Sequence, residues 1–538
     1  MAQRRKFWGW GYEGEGPTRA QQESMAATLA ELFGVSRLAV AEPPTVDELD
    51  LPEPRVAPPP ALAELCSTGP YERAGHTYGK SFRDIVRALR REFPHPPDVV
   101  AFPRHEADVV ALLDWCADAG LAAVPYGGGS SVVGGVECDV GDGRYRGVVT
   151  IDLRRLGRVV EIDRTSRAAR IEAGAYGPAL EEQLRPHGLT LRHFPQSFEC
   201  STLGGWLATR SGGHYATLYT HIDEFVESLR VVTPRGTLES SRLPGSGAGP
   251  SPDRLFLGSE GALGVITEAW MRLQDRPTFR ASATARFTEF GAGVGAARAL
   301  AQSGLYPTNC RLLDAAEAGI TGADDGSSHV LLVAFESADH PLDASLARAL
   351  ELVRDHGGTV ADNSVRVTDG DAGSGAREGT AGAWRSAFLR APYTRDALVA
   401  MGCVNETFET AITWDRFDAL YQDVMRSTRD ALVAVDAANG VVTCRFTHVY
   451  PDGPAPYFTV IAPGRDGAQL EQWAAIKSAA ADALLRHGAT ITHHHAVGRD
   501  HRPWYDRQRP EPFADALRAT KATLDPAAVL NPGVLIDP

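Results

Sequence analysis

Residues Pro125–Gly135 read PYGGGSSVVGG, with five glycines in the nine residues from Gly127 to Gly135, and this stretch decides the fold. Glycines let several backbone N–H groups turn toward one anion, and the flanking serines add hydroxyl donors, a combination suited to a pyrophosphate. A strand candidate, LAAVPY, leads into the loop, as a phosphate site requires. No Lys follows, which excludes a Walker nucleotide loop, and the G-x-G-x-x-G spacing of a Rossmann turn is absent. Taken singly, the segment also reads as a flexible connection.

Just upstream, DVVAF from Asp98 predicts a strand and EADVVALLDWCADAG a helix with an apolar stripe, so the loop closes a βαβ beginning. Downstream, GVVTIDL, RVVEIDR, RAARIEAG and FVESLRVVTP predict strands, with helices at PALEEQLRPHG and TLGGWLATR. These elements make an α+β domain over 98–275. A second alternation begins after Pro277, with ATARF, GVGAARALAQSG, NCRLLDA, HVLLVAFE and LDASLARALELVRDHG, and predicts a further α+β domain over 276–500. Its Gly- and Ala-rich segment 369–383 predicts a loop. An N-terminal segment, 1–97, contains a Pro-dense linker from Pro43 to Pro60, and 501–538 forms a C-terminal segment.

Length and composition agree with this division. A chain of 538 residues holds several folded units. Hydrophobic (43%) and charged (23%) fractions are ordinary for globular proteins and argue against disorder. With 54 Lys and Arg against 68 Asp and Glu, the net charge of −14 argues against broad adhesion to nucleic acid or anionic membranes. The seven cysteines form no CxxC pair, and their odd number suits a reducing compartment. Residues 1–16 lack the apolar run of a secretory signal, and no apolar stretch approaches the roughly 20 residues that span a bilayer. The expectation is a cytoplasmic enzyme acting on a small-molecule or lipid substrate, with peripheral membrane contact and homodimerisation left open.

Two more glycine-bearing segments follow the loop: PQSFECSTLGGWLATRSGGH at Pro195–His214 and GSEGALGVIT at Gly258–Thr267. Their order within one domain points to a single extended ligand rather than unrelated turns. The ordered set PYGGGSS, STLGGW and GSEGALGVIT resembles the FAD-binding domain of the vanillyl-alcohol oxidase and p-cresol methylhydroxylase superfamily. Within it, nearly the whole chain resembles the alkyldihydroxyacetonephosphate synthase family, through WGWGYEGEG, RLLDAAE, ETFETAITWDR, TCRFTHVYPDG, PYFTV and THHHAVGRDH. The resemblance implies an α+β fold: a two-part FAD-binding domain, an α+β cap for substrate, and a C-terminal segment returning to the FAD domain.

By this resemblance Pro125, Tyr126, Gly127, Gly128, Gly129, Ser130 and Ser131 wrap the FAD pyrophosphate. Pro195, Gln196, Ser197, Phe198, Glu199, Cys200 and Ser201, with Thr209, Arg210 and Ser211, line the flavin. Glu260, Gly261, Ala262, Leu263, Gly264, Val265 and Ile266 add backbone contacts. The loop Gly127–Gly135 carries neither His nor Cys to tether a flavin, so FAD is expected to bind noncovalently. Gly291–Ala296, GAGVGA, mimics a nicotinamide turn, but the dinucleotide is accounted for elsewhere and a glycine-rich helix start is expected.

His493, His494 and His495 can donate, accept or carry charge near neutral pH. Strand alternation forbids all three from entering one site without a local irregularity. Zinc is a rival reading, with His501 as a further ligand, although no acidic or Cys partner stands at a diagnostic spacing; a solvated histidine turn is the plainer one. The resemblance makes His494 and His495 catalytic and His493 a substrate contact, and places the catalytic tyrosine at Tyr457, where a phenol can relay a proton. It also selects Arg311 as catalytic and Arg395 as a substrate contact, guanidinium being suited to phosphate. Thr407 stands where the family commonly has a Ser near the phosphate, so the resemblance makes it a further substrate contact.

The implied reaction exchanges the acyl group of an acyl-dihydroxyacetone phosphate for a long-chain alcohol, giving an ether lipid precursor. Flavin N5 captures the dihydroxyacetone carbon as the acid leaves, and the alcohol displaces that adduct without net oxidation. The alternative is an FAD-dependent oxidase or dehydrogenase of a 2-hydroxy acid or related alcohol, suggested by the shared FAD domain and the ending DPAAVLNPGVL.

Overall fold

The strand Ala122–Tyr126 delivers the chain to the glycine loop. It forms parallel pairs with Val148–Asp152, which in turn pairs in parallel with Val99–Ala101; Cys66–Ser67 completes this four-stranded sheet. Parallel pairing needs a crossover, and the helix Glu106–Ala119 supplies one. Val109, Leu112, Leu113 and Cys116 are its buried residues, and Gly120, in left-handed conformation, ends it. These features come from the computed structural model, which describes residues 4–141, 143–219, 221–368 and 379–537.

A second, antiparallel sheet follows, in the order Val159–Asp163, Ala168–Glu172, Val265–Arg272, Val226–Thr233, Gly236–Glu239. Ile151 from the first sheet, Ile171 from the second and Leu203 from the helix Leu203–Thr209 belong to one core cluster, so the two sheets are halves of one body. The C-terminus closes it. Lys521, on the helix Glu511–Leu524, donates to the Ala262 carbonyl, and Leu530 pairs in parallel with Ala123.

The cap is built on an eight-stranded antiparallel sheet in which Asn309–Leu313, Val441–Val449, Pro454–Pro463 and Cys403–Glu409 are successive neighbours. Side chains alternate across a strand. In PYFTV, Phe458 and Val460 therefore pack with Leu420, Val424, Ile476 and Leu484 of the covering helices Trp414–Ala434 and Gln469–Arg486. Tyr457 and Thr459 face the other way, into a cavity.

Gly291–Ala296 opens the helix Phe290–Gln302, the glycine-rich helix start expected, and a side chain at Gly293 would press on Leu312. Residues 369–378 of the expected loop lie outside the described residues. From Gly379 onward the chain is already helical, to Ala400, because the alanines of GTAGAWRSAF favour a helix over a continued loop. All seven cysteines are free. Among the described residues no helix is long and apolar enough to cross a membrane.

Candidate active site

A cavity of about 400 Å³ runs from the glycine loop to the open face of the cap sheet. All seven residues of Pro125–Ser131 line it, as do Pro195, Gln196, Ser197, Thr209, Ser211, Glu260, Gly261, Gly264, Val265 and Ile266. Three backbone carbonyls of the loop face outward: Gly127 O accepts from Tyr176, Gly128 O from Arg5, and Ser131 O from the Lys80 N–H. Every peptide here is trans, so the N–H groups of Gly128, Gly129 and Val132 point the opposite way. None of these three has a hydrogen-bond partner among the described residues. A row of free donors in a buried cradle is the chemistry a diphosphate needs, and the loop therefore fits FAD.

Gly128 is required by a close approach whose partner only the fold reveals. A side chain there would overlap the Cys200 carbonyl and the Ser201 Cα, so the loop lies directly on protein backbone.

The remaining residues expected around the cofactor do not line the cavity. Phe198 stacks on Trp206 and packs at a tilt against Phe194, Glu199 accepts from Tyr393, and Ser201 accepts from the Trp206 indole at 2.6 Å. Cys200 is buried under Gly128. Arg210 pairs with Asp223 at 2.9 Å, while Ala262 and Leu263 are core residues.

The opposite wall belongs to the cap. Directly opposed residues of antiparallel strands share a face, and the register aligns Glu409, Tyr457 and Arg445 in one row. The Arg445 guanidinium lies 3.9 Å over the Tyr457 ring and also donates to Glu317, which accepts from Thr443 as well. Burial raises the Tyr457 phenol's pKa, while Arg445 and a hydrogen bond with Thr407 pull it back. Arg311 is 2% exposed and donates to the His214 carbonyl at 3.2 Å. Burial and the nearby Arg445 lower its pKa to about 9, leaving it cationic at neutral pH. Arg395 sits 3.8 Å from Glu406, and its Nε has no hydrogen-bond partner.

The three histidines occupy an irregular turn instead of a strand, and an unanticipated residue shapes it. The buried Glu409 carboxylate accepts from the backbone N–H groups of His493, His494 and His495 and from the Thr492 hydroxyl. Although burial opposes its charge, His495, His493 and these donors hold its pKa at about 2. His494 and His495 reach the cavity; His493 turns away, to Tyr450 at 2.7 Å and His221 at 3.1 Å. Burial depresses the pKa values of both, reinforced at His494 by neighbouring imidazoles and at His495 opposed by Glu409 but aided by Lys477 and Arg395, so both are neutral at physiological pH.

Sequence reasoning also missed His448, which lines the cavity and contacts the Gly213 carbonyl at 3.0 Å. The signal for it and for Glu409 lay in the motifs TCRFTHVYPDG and ETFETAITWDR. The ring nitrogens of His448, His493 and His494 gather within 4.8 Å, a spacing that could hold a metal ion. Glu409, His494 and His495 share that spacing, but Glu409 is already engaged by four donors. His501 is buried, with its Nδ1 2.9 Å from the Ala496 carbonyl.

Comparison with known proteins follows this division of labour. A profile described as "FAD binding domain" matches residues 97–241, and one described as "FAD linked oxidases, C-terminal domain" matches 276–535. An alkyldihydroxyacetonephosphate synthase of Trypanosoma brucei brucei is 31% identical over 479 residues, covering 87% of this chain and 77% of that protein. The chain belongs to the alkyldihydroxyacetonephosphate synthase family.

A second synthase, of Dictyostelium discoideum, is 31% identical over 483 residues, with 86% and 77% covered. A glycolate oxidase subunit of Bacillus subtilis is more distant, at 25% over 456 residues, with 82% and 89% covered. A solved alkyldihydroxyacetonephosphate synthase shares the fold with a TM-score of 0.79 at 24% identity, 98% of each chain being covered. p-Cresol methylhydroxylase does so at 0.67 and 15%, with 88% of this chain and 95% of that one covered. The ending DPAAVLNPGVL plays a part in the scaffold: Asn531 donates to the carbonyls of Gly135 and Glu260, and Asp525 accepts from the amides of Val529 and Leu530. None of these C-terminal residues lines the cavity.

Proposed function

We propose that this chain is an FAD-dependent transferase that exchanges the acyl group of an acyl-dihydroxyacetone phosphate for a long-chain alcohol. The observation that carries this reading is the placement of Tyr457, His494, His495, Arg311 and Arg395 on one wall of a cavity whose opposite wall is the glycine cradle. Bound FAD supplies a flavin N5 centre for a substitution without net redox change. The amides of Gly128 and Gly129 hold the cofactor's diphosphate, noncovalently.

Arg311 and Arg395 bind the substrate phosphate, the second through a guanidinium edge left unsatisfied by the protein. Tyr457 moves the proton that the substitution displaces, its hydroxyl tuned between burial and the Arg445 cation. Neutral His494 and His495 accept or donate beside it, while His493 holds the turn through Tyr450. The alcohol's proton and the acyl carboxylate leave as the ether bond forms, so atoms balance without an electron acceptor.

Purified protein given acyl-dihydroxyacetone phosphate and labelled hexadecanol should form ether product without oxygen uptake. Turnover that instead oxidises a 2-hydroxy acid and needs an acceptor overturns the transferase reading. Denaturation followed by gel filtration should separate the yellow colour from the protein; colour retained by the chain overturns noncovalent binding.

A further inference from the structure

The N-terminal arm, whose WGWGYEGEG motif has no role in the reaction above, encloses a second chamber of about 270 Å³ behind the glycine loop. Arg4, Arg5, Lys6, Lys80 and Arg154 line it, and Glu72 is the carboxylate among its lining residues. Three of these cations are already engaged: Arg154 by Asp152, Lys6 by the Glu15 carbonyl and Asp396, and Arg4 by stacking on Tyr71. Lys80 and Arg5 have no ion pair among the described residues, although Arg5 also stacks on Tyr176 at 4.3 Å. Lys80 is 8% exposed, and its ammonium has no hydrogen bond or ion pair among the described residues. Arg5 spends one terminal nitrogen on the Gly128 carbonyl, while the other is buried without a hydrogen-bond partner.

Asp396 and Asp84 stand near enough to pull the Lys80 pKa up, yet neither makes an ion pair with it. Asp84 caps its own helix at Ser81, Asp152 also binds His76, and Asp396 receives the Trp10 amide. A buried cation without a direct ion-pair partner is costly, and burial lowers the Lys80 pKa although Asp396 and Asp84 oppose it. A guanidinium edge beside an ammonium matches the oxygens of a phosphoryl group.

We propose that Lys80 and Arg5 form a phosphoryl-anion site in this chamber, gripping the glycine loop from the side opposite the active-site cavity. The same chemistry is offered by a separate phosphate and by the diphosphate of FAD reaching past the loop, and titration distinguishes them. The second arm rests on the FAD reading; the first stands without it.

The test is calorimetric titration of FAD-loaded protein with inorganic phosphate, paired with titration of apoprotein with FAD and with riboflavin. A separate phosphate site predicts one phosphate bound by the loaded wild type, weakened about 10-fold or more in Lys80→Met and Arg5→Met, with FAD affinity unchanged. Occupation by the cofactor predicts no phosphate binding by the loaded protein, and a comparable loss of FAD affinity, but not riboflavin affinity, in both variants. Lys80→Arg should retain binding in either case, and near-ultraviolet circular dichroism verifies that the variants fold. Wild type that binds no phosphate, together with folded Met variants of unchanged FAD affinity, overturns the proposal.

Discussion

The Arg445 guanidinium lies 3.9 Å over the ring of Tyr457, and the two residues face each other across adjacent strands. A cation there stabilises the phenolate that burial disfavours. Tyr457→Phe keeps the ring and its packing but removes the hydroxyl, so ether-forming turnover should fall about 100-fold or more, the scale of lost acid–base help. FAD binding, followed by flavin absorbance, should survive. Full activity in the folded variant would move the proton-transfer role to another residue.

Arg445→Gln should act through Tyr457. Loss of the cation raises the phenol's pKa, so the ionisation seen in the pH–rate profile should move to higher pH by about one unit or more. A fall in rate without movement of the profile would reduce Arg445 to a packing role.

Arg395→Ala should raise KM for the phosphorylated substrate by about 10-fold or more, the scale of a lost charged hydrogen bond, while flavin spectra stay unchanged. Arg395 meets Glu406 only at 3.8 Å and retains an unsatisfied Nε, so its fork remains available to a ligand. Steady-state kinetics with substrate of constant chain length is the measurement.

Glu409→Gln replaces an acceptor of four hydrogen bonds with a group that carries its own donors. The variant should lose on the order of 1–3 kcal/mol per donor left unsatisfied, seen as a lower urea midpoint. Turnover should fall with it, because the turn that aims His494 and His495 loses its anchor.

Glu260 predicts a pH dependence of stability. Burial raises its pKa from 4.5 to about 7 despite amide donors from Val497 and Gly498. The folded protein thus holds this proton more tightly than the unfolded chain. The associated stability is fully present below about pH 4.5 and is lost as pH rises to about 7, on the order of 3 kcal/mol. Glu260→Gln should flatten this part of the slope when urea midpoints at pH 5 and pH 8 are compared; an unchanged slope rules the contribution out.

Much of the scaffold was legible in the sequence because its signals are local. The alternation in PYFTV marks which residues pack under helices, the stripe in EADVVALLDWCADAG marks the crossover helix, and the glycines of Gly127–Gly129 announce a loop that meets backbone closely. Motif order was enough to place the chain among FAD-binding proteins. Tertiary structure alone brought Glu409 under the histidine turn, set Arg445 over Tyr457 and drew the arm around Lys80. Those relationships join residues distant in the chain, through strand register and domain packing. Burial then changes the chemistry: removal from water makes His494 and His495 neutral, holds the solvation-starved Tyr457 against a cation, and leaves the Lys80 side chain without a hydrogen bond or ion pair among the described residues. Local patterns determine which segments become helix, strand or loop, whereas the electrostatic character of a site depends on which charges the completed fold places together away from solvent.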